Sequence, residues 1–223
     1  METSIISVKN IVKTYQLGDL KVPALNGISF EITAGEFIII KGRNGSGKST
    51  LLRQLGLLDR PDSGEIFLSG QEVTQLKEKK RTQMRLNMIG YIFQEYALLA
   101  ELTVLENIML PAMMLSSLAD CRARALQLVR KIGLAEKQSN LISQLSGGEK
   151  QKVAIARALV NDPAVIFADE PTANLDSAAA KGVLELLKKI NQEEGHTIVM
   201  VTHEPEEEIY ARRIIELRDG RIK

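Results

Sequence analysis

The 223-residue sequence contains one cysteine, no tryptophan and an aromatic fraction of only 4%. The single cysteine, Cys121, excludes an intrachain disulfide, and its sequence neighbours supply no metal site. This sparing use of cysteine fits a reduced, cytosolic compartment best. We interpret Cys121 as an incidental thiol on a helix, because nothing beside it would activate its sulfur for catalysis.

Long hydrophobic runs are also absent. The densest run, residues 37–40, is far shorter than the roughly 18 residues that a membrane span requires, and it predicts a buried strand. Residues 1–4 lack the basic-then-apolar layout of a signal peptide. We therefore expect a soluble protein, so that any membrane process it serves would need another chain to supply the membrane part.

No charge of one sign dominates the chain, since 29 basic and 28 acidic residues leave a net charge of +1. This balance gives no electrostatic argument for a nucleic-acid partner, and we predict none. The hydrophobic fraction of 44% and charged fraction of 26% are ordinary for a globular protein. The length suits one α/β domain, with room for a smaller subdomain.

The pattern of apolar residues predicts an α/β fold with two kinds of sheet. Residues 28–32 alternate between apolar and polar side chains, as in a half-buried antiparallel strand. Apolar strands at 165–168, 197–201 and 214–217 are separated by helical segments, including one at 178–194. This order is typical of a parallel sheet covered on both faces. Residues 74–160 are predicted to be mainly helical, broken by a short strand at 89–93.

A glycine-rich loop follows the apolar strand at 37–41 and opens a helix at Lys48. It matches the phosphate-loop pattern G-x-x-x-x-G-K-[ST] with the residues Gly42, Arg43, Asn44, Gly45, Ser46, Gly47, Lys48 and Ser49. The glycines let backbone N–H groups converge on phosphate oxygens, and the helix N-terminus favours negative charge. We expect Lys48 to neutralise the β- and γ-phosphates and Ser49 to bind Mg²⁺, with Thr50 included in the nucleotide site. This motif alone indicates a nucleoside triphosphatase and no particular family.

Two acidic residues, Asp169 and Glu170, follow the apolar strand at 165–168. The carboxyl ends of parallel strands are where such sheets bind ligands. We expect Asp169 to hold Mg²⁺ directly or through water, and Glu170 to orient or deprotonate the attacking water. Without the phosphate loop, a solvated acidic pair would be the simpler interpretation.

A second predicted helix start lies at residues 145–151, with the sequence L-S-G-G-E-K-Q. Ser146 is a good N-cap, and Gly147 and Gly148 allow a close backbone approach. A capped helix start with paired glycines suits an anion, although the pattern alone is equally compatible with a merely capped helix.

The L-S-G-G-E sequence, placed between the phosphate loop and the acidic pair, resembles the signature of ATP-binding-cassette ATPases. Other motifs of that family match in order along nearly the whole chain. By this resemblance, Tyr15 stacks on adenine, Gln94 is the Q-loop residue that touches Mg²⁺, Asp176 belongs to the D-loop, and His203 is the switch histidine that contacts the γ-phosphate. The signature residues Ser146, Gly147, Gly148 and Glu149 would contact ATP.

The resemblance implies a nucleotide-binding core at 1–93 and 161–223, with an N-terminal antiparallel β-subdomain, and a helical subdomain at 94–160. It implies ATP and Mg²⁺ as cofactors. It also implies a head-to-tail dimer, in which the phosphate loop of one copy faces the signature of the other. The residues permit this independently, because one chain has two anion-binding helix starts but only one complete Mg²⁺-phosphate site, and a twofold pairing would complete both sites.

Three further segments resemble the ATPases of lipoprotein-release, macrolide-efflux and cell-division systems: 57–61 (L-L-D-R-P), 102–107 (L-T-V-L-E-N) and 168–176 (A-D-E-P-T-A-N-L-D). This branch implies a separate integral membrane permease as partner and a peripheral location on the cytoplasmic face of the membrane. Leu98, Leu99, Leu102 and Met109 are candidates for a groove that receives a permease helix, but packing in the internal core is the simpler interpretation of each. The alternative is a soluble cassette ATPase, such as an iron–sulphur assembly component of similar size.

Overall fold

The computed structural model describes residues 4–223. Residues 1–3, which were part of the sequence argument against a signal peptide, lie outside the described residues. The strands are β1 Ser4–Leu17, β2 Leu20–Thr33, β3 Phe37–Lys41, β4 Ser63–Leu68, β5 Gln71–Glu72, β6 Ile89–Ile92, β7 Val165–Asp169, β8 Thr197–Thr202, β9 Arg213–Arg218 and β10 Arg221–Ile222. The α-helices are α1 Lys48–Leu55, α2 Glu78–Met88, α3 Val104–Met109, α4 Leu118–Lys131, α5 Gly147–Leu159 and α6 Ser177–Glu194.

A six-stranded sheet in the order β10-β9-β3-β8-β7-β6 forms the centre of the molecule. Five of its strands are parallel, and only β10 pairs antiparallel, with β9. All six residues of β8 and the first four of β3 are buried, as expected of strands covered on both faces. The predicted α/β class with a parallel core is therefore confirmed.

The predicted N-terminal antiparallel β-subdomain is a four-stranded sheet in the order β2-β1-β4-β5. One face of β1 and β2 packs into the same hydrophobic cluster as α1 and the central sheet, through side chains such as Ile6, Ile11 and Leu25. The Ala24 carbonyl of β2 lies against Gly47 of the loop that follows β3, and β1, paired with β2, places Tyr15 beside Thr50 of α1.

A second hydrophobic cluster is built from α3, α4 and the start of α5, and includes Ile108, Val129 and Val153. Thr103 begins α3 with a capping box, and the helix ends before Pro111, which cannot continue it without strain. Met109 is buried inside this cluster, which is the core packing that the sequence favoured for it, whereas Leu99 is exposed.

Helix α1 ends at Leu55. Gly56 caps it, and Leu57 takes a positive φ of 57° that stops helical continuation. None of the helices in the described part of the chain is long and apolar enough to cross a membrane.

Candidate nucleotide-hydrolysis site

The phosphate loop connects β3 to α1, and two of its glycines are required by the backbone. Gly45 and Gly47 have φ angles of 81° and 100°, which side-chain-bearing residues rarely adopt. At Gly47 a Cβ atom would also lie 2.3 Å from the Ala24 carbonyl oxygen. The sharp turn therefore aims the N-terminus of α1 at the space above the loop, where an anion is favoured.

Lys48 is almost fully buried, and its ammonium group is folded over this loop. Its Nζ donates to the carbonyl oxygens of Gly42 at 2.9 Å and Arg43 at 3.3 Å. The Nζ also lies 3.9 Å from a carboxylate oxygen of Glu170. The cation is thus held between the loop and the acidic residue that follows β7.

Ser49 and Asp169 meet at the carboxyl end of the sheet, although they are far apart in the chain. The Ser49 hydroxyl donates to Asp169 Oδ1 at 2.9 Å. Burial is the main cause that raises the pKa of Asp169, and the negative charge of Glu170 adds to it, while the Ser49 hydrogen bond opposes it. A half-buried carboxylate beside a hydroxyl is a donor set that fits Mg²⁺, which prefers oxygen ligands. Within residues 4–223 no group of three or more His, Cys, Asp or Glu side chains could hold a metal, so the nucleotide and water would have to complete the coordination.

Glu170 and His203 face each other at the ends of β7 and β8. His203 Nδ1 lies 3.3 Å from Glu170 Oε2, and its Nε2 lies 3.1 Å from Glu204 Oε1. Glu170 has a φ of 43°, a strained conformation for a side-chain-bearing residue, and such strain clusters at functional sites. Its backbone N–H donates to the Val201 carbonyl at 3.0 Å, which fixes the turn that presents the carboxylate.

Tyr15 lies beside α1 with its hydroxyl group engaged. It donates to Asp59 Oδ2 at 2.9 Å, and Lys13 Nζ lies 5.3 Å from the centroid of its ring. Burial is the first cause that raises the pKa of Tyr15, and a hydrogen bond with Thr50 opposes the rise. Sequence reasoning missed Asp59 and Lys13 as residues that fix this ring, because Asp59 was considered only as part of a family pattern.

The other motif residues lie around this centre. Gln94 is exposed just after β6, and its carbonyl accepts a hydrogen bond from the Asn174 side chain at 3.2 Å. Asp176 caps α6, accepting from the Ala179 N–H at 2.8 Å. The carboxylate of Asp176 therefore stabilises the start of α6, in addition to the contact with ATP that the resemblance implies for it.

The signature segment begins α5 as the sequence predicts. The Ser146 hydroxyl accepts from the Glu149 N–H at 3.3 Å, and Glu149 accepts in return from the Ser146 N–H at 3.0 Å. A Cβ atom on Gly148 would lie 2.9 Å from the Cβ of Ala179. Packing of α5 against α6 within the chain therefore explains a glycine at position 148, whether or not an anion approaches it.

No hydrogen bond or ion pair among the described residues joins residues 146–149 to the phosphate loop, Asp169 or Glu170. One chain thus brings together five predicted site residues, namely Lys48, Ser49, Asp169, Glu170 and His203, and leaves the signature apart from them.

Comparisons with known proteins identify the family of this chain. The profile of the family described as ABC transporter matches residues 25–173, more than half of the chain. The chain belongs to the ABC transporter family. It is an ATPase cassette of that family, and the predicted fold is confirmed.

Among curated relatives, an uncharacterised ABC transporter ATP-binding protein of Thermotoga maritima is 46% identical over 98% of this chain and 94% of its own length. The macrolide export ATP-binding/permease protein MacB of Syntrophobacter fumaroxidans is also 46% identical over 98% of this chain, but the match covers 31% of MacB. The cassette therefore spans about a third of the length of the MacB relatives that it matches.

Among solved structures, the cassette is similar to the ATP-binding cassette MJ0796, described as a dimeric post-hydrolysis state bound to ADP and Pi. The sequence identity is 40%, the TM-score is 0.90, and the match covers 98% of this chain and 96% of that one. A cbiO1 protein from Clostridium perfringens matches with a TM-score of 0.88 at 30% identity, over 100% of this chain and 88% of that one.

Proposed function

We propose that this cassette binds ATP with Mg²⁺, hydrolyses the bond to its γ-phosphate in a head-to-tail pair of cassettes, and thereby powers a membrane permease. The observation that carries the proposal is the meeting of Lys48, Ser49, Asp169, Glu170 and His203 at one edge of the central sheet. These are the charges and oxygens that phosphoryl transfer requires, in hydrogen-bonding or ion-pairing reach of one another.

The positions of these residues support the role proposed for each. The N–H groups of residues 42–49 and the Lys48 ammonium bind the phosphates and offset their charge. Ser49, Asp169 and Gln94 would hold Mg²⁺, which neutralises charge on the β- and γ-phosphate oxygens. Glu170 orients the attacking water and accepts its proton, and His203 contacts the γ-phosphate while its other ring nitrogen lies beside Glu204.

A second copy of the chain would complete each site. Ser146, Gly147, Gly148 and Glu149 form a capped helix start with no polar contact to the phosphate loop of their own chain. Facing the phosphate loop of a partner, this helix N-terminus would meet the γ-phosphate. The dimeric description of the similar cassette MJ0796 supports this pairing. Hydrolysis would then remove the charge that holds the pair together.

The membrane partner and the transport branch are inferred from the relatives. Several of them are macrolide export proteins whose names combine an ATP-binding part with a permease, and the match covers about a third of their length. These names favour a transporter of the macrolide-efflux and lipoprotein-release kind over an iron–sulphur assembly ATPase. The cassette would then lie peripherally at the cytoplasmic face of the membrane, bound to its permease.

The test of the proposed hydrolysis is Glu170→Gln, which keeps the size of the side chain and removes its basicity. Turnover of ATP should fall by about 10²–10⁴-fold, the usual contribution of a general base. Binding of ATP to the monomer should change less than about twofold, because Lys48 and the loop are untouched. Glu206→Gln, an exposed carboxylate after β8, is the matched control and should turn over normally. Near-normal turnover of Glu170→Gln would remove Glu170 from the reaction.

A further inference from the structure

A buried carboxylate joins the two segments that carry Glu170 and His203. Glu207 lies in the 3₁₀ helix Pro205–Tyr210, four residues after His203, and is 5% exposed. Its Oε1 accepts a hydrogen bond from the hydroxyl of Thr172, which is 7% exposed and follows Glu170 by two residues. Side chains of the two segments therefore meet at two points, His203 with Glu170 and Glu207 with Thr172.

The second link is one of few side-chain contacts that hold the turn between β7 and α6. Backbone hydrogen bonds from Ala173 to Glu170 and from Leu175 to Thr172, at 3.2 and 3.0 Å, shape this turn from within. The Asn174 side chain reaches the Gln94 carbonyl on one side. On the other side the Thr172–Glu207 bond fixes the turn to the segment after β8.

The stability of the fold does not explain why residue 207 is a carboxylate. Glu207 Oε2 is buried and makes no hydrogen bond with any described residue. Leaving a buried polar oxygen unpaired is costly, and replacing both partners of a buried hydrogen bond by apolar groups of like shape is often neutral or stabilising. A buried unsatisfied group of this kind therefore calls for an explanation beyond packing.

We propose that Glu207 is a positioning residue for ATP hydrolysis: through Thr172 it fixes the turn after β7 relative to the switch segment, and so sets the placement of Glu170 against His203. This inference rests on the proposed function of Glu170 and His203. Glu207 lies behind the site and acts through Thr172, so it should affect the rate of the chemical step and leave nucleotide binding unchanged.

Three variants separate this role from a merely structural one. Glu207→Met has similar length and cannot accept the Thr172 hydrogen bond, Glu207→Gln can still accept it, and Thr172→Val removes the donor at constant shape. We expect kcat to fall about tenfold in Glu207→Met and Thr172→Val, as the loss of one hydrogen bond implies. The KM for ATP should stay within about twofold of wild type, and Glu207→Gln should restore most of the rate.

The double variant Glu207→Met/Thr172→Val should be as slow as either single variant, because both remove the same bond. Its unfolding midpoint should equal or exceed that of wild type, since both partners become apolar. Glu206→Met, exposed on the same 3₁₀ helix, is the matched control and should leave kcat unchanged. If Glu207→Met fails to fold, Thr172→Val alone decides the question by the same readouts.

The inference is overturned if folded Glu207→Met or Thr172→Val turns over ATP at the wild-type rate, or if the rate falls only in proportion to lost folded protein. Failure of the proposed function looks different. In that case the wild-type chain would not hydrolyse ATP, or Glu170→Gln would hydrolyse it normally, whatever the Glu207 variants do.

Discussion

Substituting Ser146 by Asn or by Asp tests the signature segment without unfolding its helix. Ser146 caps α5 through its hydroxyl, and Asp or Asn at an N-cap stabilises a helix about as well as Ser does. Ser146→Asn should therefore leave the fold and the local charge unchanged. Ser146→Asp should leave the fold unchanged and place one negative charge at the helix start.

The size of the expected effect follows from the proposed pairing. If Ser146 faces the γ-phosphate of ATP held by a partner, the new carboxylate meets a like charge at a closed interface, which costs several kcal/mol. A penalty of about 3 kcal/mol corresponds to roughly 100-fold weaker ATP-driven dimerisation. Glu149 does not already impose this cost, because the carboxylate of Glu149 forms an ion pair with Lys137.

The assay is sedimentation equilibrium of both variants in a Glu170→Gln background with ATP and Mg²⁺, together with ATP binding to the monomer. We expect Ser146→Asn to dimerise like the parent, Ser146→Asp to remain monomeric at the same concentration, and both to bind ATP as monomers with unchanged affinity. Equal dimerisation of the two variants, or a loss of monomer ATP binding in Ser146→Asp, would refute the placement of the signature opposite a partner's phosphate loop.

Two further predictions concern stability. Both side-chain polar atoms of Gln54 on α1 are buried without a hydrogen bond to any residue of 4–223. Gln54→Leu should therefore raise the free energy of unfolding, measured by urea unfolding, by about 1–3 kcal/mol. Substitution of the exposed Gln127 by Leu is the control and should change this free energy by less than about 0.5 kcal/mol. A hydrogen bond from Lys137 is the first cause that lowers the pKa of Glu149 from its ordinary value of 4.5. This contact therefore stabilises the fold above pH 4.5, and the stabilisation disappears as the pH falls through the lowered pKa. Glu149→Gln should therefore cost less than about 1 kcal/mol at pH 7 and nothing once the wild-type carboxyl is protonated, and a cost that is constant from pH 7 to pH 3 would contradict this reasoning.

Much of the site could be predicted from the sequence because its residues belong to local patterns. The phosphate loop needs glycines at positions of positive φ, and the capping box at Ser146 is a contact three residues apart. The meeting of Ser49 with Asp169 follows from the rule that parallel strands share one carboxyl edge. Each of these inferences requires only spacing and the order of strands and helices.

The contacts that sequence reasoning missed join segments without any shared local pattern. The Asp59 carboxylate reaches Tyr15 only because β1 packs against the end of α1, and Glu207 reaches Thr172 only through the packing of the turn after β7 on the segment after β8. The packing of Gly148 against Ala179 was missed for the same reason, since the approach of α5 to α6 depends on the whole helical cluster.

The central claim is that ATP itself joins two cassettes, with each phosphate loop facing the other chain's signature. Size-exclusion chromatography of Glu170→Gln with and without ATP and Mg²⁺ tests it most directly. The account predicts a monomer without nucleotide and a dimer with ATP and Mg²⁺, which returns to monomer when ADP replaces ATP. A Glu170→Gln protein that binds ATP and still elutes as a monomer would contradict the claim that the nucleotide drives the pairing.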